Sequence, residues 1–166
     1  MLDSASAATD LDLISHLKAI PDARMRRGVR IPAWYLLLVA VLGILSRCQS
    51  LRDLERFAIR HHGVLTEALG LELRRPPSDS AFRYFFRQVD VAALCAAIRD
   101  WTIAQIPGGT ADLDQLVCDG KMLRTAALNL LRLTGFQSIR AGMQAVMHDI
   151  TALLAMAMRQ PEPSPV

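Results

Sequence analysis

The chain reads as a mainly α-helical protein. Alanine and leucine dominate, while aromatic residues make up only 5% of the 166 residues, a balance that favours helix over strand. Apolar runs recur at spacings of three and four, and most are opened by Asp or Ser and closed by Gly or Pro. The apolar share of 52% is enough for a packed core and argues against global disorder.

Residues 1–9 are small and polar, and read as a disordered tail. They have no basic region followed by an apolar one, so no secretory signal is expected and a cytoplasmic setting follows. A helical domain is expected over 10–106. Asp10 is placed to cap a first helix from Leu11 to about Ile20, with Leu13, Ile14 and Leu17 on one face. Pro21 ends it. Pro32 suits the first turn of a second helix, from Ile31 to about Arg47. This helix is apolar nearly all round and should be central. Its most apolar part, Trp34 to Leu45, is shorter than the roughly 20 residues that span a bilayer, so no membrane partner is expected.

Ser50 and Asp53 have the spacing of a capping box and open a third helix that Gly63 should break near His61 and His62. That places the two histidines at a helix C-terminus, where they suit the macrodipole. A short helix from Val64 to Leu69 is closed by Gly70. After Pro76-Pro77, Ser78 caps an aromatic helix to about Val89, and Asp90 caps the next, to about Ile106. The aromatic helix turns Phe82, Phe85, Phe86 and Val89 inward and leaves Ser80, Arg83 and Arg87 on another face.

Pro107-Gly108-Gly109 closes the helical domain. Leu116-Val117-Cys118 is a short apolar run that suits a buried strand. Ala126 to Leu133 reads as a helix. Ser138 opens a last helix whose stripe runs Ile139, Met143, Val146, Ile150 and Leu153. The Pro-rich tail 159–166 reads as disordered. The three cysteines and four histidines lack metal-ligand spacing, so neither a zinc site nor a disulfide framework is expected.

The net charge is +3, a mild basic bias. It is concentrated: Arg24, Arg26, Arg27 and Arg30 face only Asp22 in their segment, an excess equal to that of the whole chain. A local field of this kind suits a phosphate-contacting arm, and a solvated linker is the plain alternative. Arg83 and Arg87 on the aromatic helix can reach DNA phosphates or guanine edges, or else pair with Asp79 or Asp90.

The stretch IPDARMRRGVRIPAWYLLLVAVLGIL and the later PPSDSAFRYFFRQVD resemble the domain that precedes the catalytic core of H-repeat-associated insertion-sequence DDE transposases. Residues 107–125 read as the remnant of a catalytic core: LVCDGKMLRTA, from Leu116 to Ala126, resembles that family's first catalytic motif, a strand of an RNase H-like fold ending in Asp-Gly-Lys. The resemblance implies that Asp119 is the first carboxylate of a DDE triad and a Mg²⁺ ligand, with Lys121 and Arg124 near DNA. After Thr125 the chain passes to ALNLLRLTGFQSIRAGMQAVMHDITALLAM, which resembles the extreme C-terminus of the same family, so 126–158 is expected to form C-terminal transposase helices. The resemblance therefore implies an internal deletion near Thr125 and Ala126, which removes the second Asp and the Glu.

Intact relatives use two Mg²⁺ ions about 4 Å apart, held by converging carboxylates. Asp119 alone is a vestigial catalytic position and an incomplete metal site, so tight Mg²⁺ binding is not expected. After Asp119 the acids are Asp149 and Glu162, neither in a motif. The expected function is a DNA-binding remnant of a transposase without activity of its own, whose candidate partners are DNA, a second copy or an intact transposase. The alternatives are a helical protein-interaction module, a decayed gene product without DNA binding, and a nuclease that completes Asp119 from elsewhere.

Overall fold

The computed structural model describes residues 12–27, 29–104, 127, 139–146 and 149–159. The described residues form seven α-helices and no strand. The strand expected at Leu116 to Cys118, the Asp-Gly-Lys motif, the deletion junction, nearly all of the Ala126 to Leu133 helix and both tails lie outside them.

Helix α1 (Leu13–Lys18) starts on Asp12, whose carboxylate accepts from the Ser15 amide at 2.7 Å. The cap is therefore Asp12 rather than Asp10. Leu13, Ile14 and Leu17 are buried as the periodicity requires. Helix α2 (Ala33–Leu45) follows Pro32 and buries eleven of its thirteen residues. A helix apolar on every side can only be satisfied inside the bundle, and α2 packs against α1, α3, α4 and α7. It stops at Leu45, two residues short of the expected end, because Ser46 and Arg47 turn the chain away.

Helix α3 (Leu51–Leu69) opens on the expected capping box, with Ser50 and Asp53 satisfying each other's backbone amides. It is one helix of 19 residues, not two broken at Gly63. Glycine inside a helix costs about 1 kcal/mol relative to alanine. The buried row Leu54, Phe57, Ala58 and Leu65 lies on both sides of it, and burial of that row outweighs the local penalty. His61 and His62 therefore sit in mid-helix, not at a terminus. The Nε2–H of His62 donates to the Leu73 carbonyl at 2.9 Å and ties the chain beyond α3 back to it. Gly70 closes the helix with φ 62°, a left-handed conformation that favours glycine. No heavy atom outside the local helix lies within 4 Å of a Cβ built at Gly63. Gly63→Ala is thus expected to stabilise the protein by about 0.5–1 kcal/mol in urea denaturation; a loss would restore the helix break.

Helix α4 (Asp79–Gln88) is capped by the Ser78 hydroxyl, which accepts from the Ala81 amide at 3.2 Å. Phe82 and Phe85 are buried, and Phe86 and Val89 pack half-buried against the core. Helix α5 (Val91–Ala104) begins after Asp90, whose carboxylate accepts from the Ala93 amide at 3.0 Å. It packs on α1 and buries Leu94, Ile98 and Trp101.

The last helix of the sequence reading is two helices, α6 (Ile139–Val146) and α7 (Ile150–Ala157). Asp149 stands between them and caps α7, accepting from the Ala152 amide at 3.0 Å. Helix α7 buries Leu153, Leu154, Met156 and Ala157 and docks on α2 and α3. The C-terminal segment thus completes the core of the N-terminal bundle. No helix among the described residues is long and apolar enough to cross a membrane.

Candidate nucleic-acid interface

The arginine segment between α1 and α2 is bracketed by Pro21 and Pro32, and its described residues have no regular structure of their own. What orders it is Arg24. Its Nε and Nη2 donate to the two oxygens of Asp22 at 2.9 and 2.7 Å, and Nη2 also donates to the Ile31 carbonyl at 2.7 Å. The guanidinium carbon lies 5.3 Å from the centre of the Phe85 ring on α4. Only 8% of the Arg24 side chain is exposed. A planar fork that binds a carboxylate at two points and lies over an aromatic ring is well suited to this task. Arg24 therefore fastens the two ends of the arm to each other and to α4, and is not placed to meet phosphate.

Arg26, Arg27 and Arg30 are exposed. Because Asp22 is neutralised by Arg24, these three cations carry the field of the arm without a counter-charge inside it. Arg27 and Arg30 line a shallow groove of about 260 Å³ together with Ala81 and Tyr84 of α4. Tyr84 is 53% exposed. The outward side of α4 holds Ser80, Arg83, Tyr84 and Arg87, all exposed, within an arc of about 100° at the helical repeat. Arg83 pairs with Asp79 at 3.5 Å, one of the alternatives that the sequence left open. The pair is solvated and one turn apart, an arrangement of little strength, so a phosphate can replace Asp79 cheaply. Arm and helix thus present one basic surface with an aromatic ring inside it.

The carboxylate of Asp22 titrates below its ordinary 3.8, chiefly through the hydrogen bond from the Arg24 side chain, against which its partial burial works. A depressed carboxylate contributes stability above its unfolded pKa and loses it as pH falls through the folded value. The arm is therefore expected to loosen only below pH 3.8. In Arg24→Ala the Asp22 midpoint, followed by carboxyl NMR, should rise, and stability should fall by about 1–3 kcal/mol. An unchanged midpoint would show that the pair does not hold the arm.

Asp119, Lys121 and Arg124 lie outside the described residues. Among the described residues no three His, Cys, Asp or Glu side chains come together to hold a metal ion. Asp149, one of the two acids after Asp119, is engaged as the cap of α7.

A second basic cluster escaped the sequence reading. Arg52, Arg56 and Arg60 recur every four residues along α3, opposite its buried row, and all are exposed. The four-residue spacing was the available signal.

Among the described residues the protein is a helical bundle with a basic, aromatic-containing face. The DDE_Tnp_1-associated family matches residues 14–102, more than half of the chain and spanning α1 to α5. The chain belongs to this family, the N-terminal region associated with DDE transposases, and the protein is transposase-related. No curated protein and no solved structure matches it.

Proposed function

We propose that this protein binds duplex DNA through the Arg26, Arg27 and Arg30 arm and the Arg83 and Arg87 face of α4, as the end-binding part of a transposition apparatus, without cutting DNA itself. The observation that carries the reading is the attachment of the arm to α4 by Arg24, which turns two separate basic segments into a single surface. A flexible linker rich in arginine would need no such fastening. Family membership supports a role at transposon DNA. A chain that occupies ends without cutting them would compete with an intact transposase.

The test is duplex binding by fluorescence anisotropy as a function of salt. Each neutralised phosphate contributes about −0.9 to the slope of log K against log salt. With three to five of the arginines engaged, the slope should lie between about −3 and −5. Binding that ignores salt, or no binding at low salt, overturns the proposal.

A further inference from the structure

We propose that the corner between α2 and α3 is a phosphate-binding site, separate from the arm and α4. A concavity of about 470 Å³ opens there. Arg47, Arg56 and Arg60 line it against one carboxylate, Asp53, and the rings of Phe57 and His61 form part of its wall. Asp53 is already engaged: its Oδ2 accepts from the Gln49 and Ser50 amides, each at 3.1 Å, and its other oxygen lies 3.7 Å from Arg56. Three arginines thus line one concavity that holds a single, already engaged carboxylate. Arg56 and Arg60 are neighbours one turn apart, where like charges repel, and the described structure relieves this only through Asp53.

Two further features fit an oxyanion. Arg47 sits at φ 65°, a left-handed backbone that helix ends ordinarily give to glycine. The turn returns the Cys48 amide to the Gly43 carbonyl at 2.8 Å, and Arg47 belongs to the same lining as the α3 arginines. A cation beyond the end of α2 answers the helix dipole, but that accounts for Arg47 alone and not for the α3 pair. The Cys48 thiol is pushed up to about 11 by burial and by Asp53, so it brings no charge of its own at neutral pH. Arginine forks beside an uncharged wall are suited to bind phosphate oxygens at several points.

The phosphate comes either from a DNA backbone or from a free anion, and the same experiment separates them. Inorganic pyrophosphate is titrated into the full chain, with chloride at matched ionic strength as control, and followed by ¹⁵N-resolved NMR of the backbone and arginine Nε signals. Saturable shifts at Arg47, Cys48, Arg56 and Arg60 are expected, weakened about tenfold or more in Arg56→Gln/Arg60→Gln. Arg47→Gly, which suits the left-handed backbone better, should keep the melting temperature while losing affinity. A duplex is then titrated into the same variants. Duplex binding that weakens with Arg56→Gln/Arg60→Gln identifies the backbone as the source, and unchanged duplex binding identifies the free anion. The site is refuted if pyrophosphate shifts nothing beyond the chloride control, or if the double variant responds as the wild type does. Neither result touches the reading of the arm and α4, which this site does not share.

Discussion

Arg26→Glu/Arg27→Glu is expected to weaken duplex DNA binding by at least about 100-fold at low salt while leaving the fold intact. Both side chains are exposed, and surface substitutions of this kind usually change stability by no more than about 0.5 kcal/mol. The effect on DNA is large because each reversal removes one favourable contact and adds one repulsion in the same place. Each phosphate contact loses about half a logarithm of affinity between 50 and 200 mM salt and is worth more than that at low salt, so two losses and two repulsions together reach at least about two logarithms. The salt slope should become shallower by about 2. Arg24→Ala acts differently: it removes no exposed cation but releases the arm, so it should weaken binding less and leave the slope nearly unchanged. Equal losses of slope in the two variants would mean that Arg24 meets phosphate directly, against its position under the arm.

Trp101→Ala is expected to have the largest effect on stability, about 3–5 kcal/mol. Its side chain is 1% exposed and is the largest buried in the described core. It belongs to α5, which packs on α1, and α1 is the element from which the arm departs. A domain of this size has roughly 5–15 kcal/mol in total, so the variant should unfold at much lower urea and be partly unfolded at physiological temperature. A loss of less than about 1 kcal/mol would show that α5 is not an integral part of the bundle.

The sequence carried much of this fold. An almost uninterrupted apolar run can lie nowhere but at the centre, and α2 does. Ser50, Ser78 and Asp90 each cap the helix assigned to them, because capping depends on side chains within three residues of the helix start. Misreadings arose where distant contacts outweighed local signals. Gly63 has the propensity of a breaker, yet the residues on either side of it share one buried face. The stripe from Ile139 to Leu153 has helical spacing throughout, and periodicity does not reveal that Asp149 starts a new helix within it.

The site was legible as composition but not as geometry. Counting charges places Arg24 beside Arg26 and Arg27, whereas only the folded chain distinguishes the arginine held by Asp22, Ile31 and Phe85 from those left to solvent. Tyr84 was passed over because the aromatic helix was read for its buried face, although its exposed ring stands among the arginines. The concavity lined by Arg47, Arg56 and Arg60 follows a left-handed turn at the first of these, and nothing in their spacing announces such a turn.

Amide chemical-shift mapping with a short duplex tests the joint surface most directly. If the arm and α4 act together, the amides of 25–31 and of Ser80, Arg83, Tyr84 and Arg87 shift in one saturable process with a single affinity. Shifts on one of the two segments without the other, or on neither, contradict the claim that Arg24 makes them a single DNA-binding face.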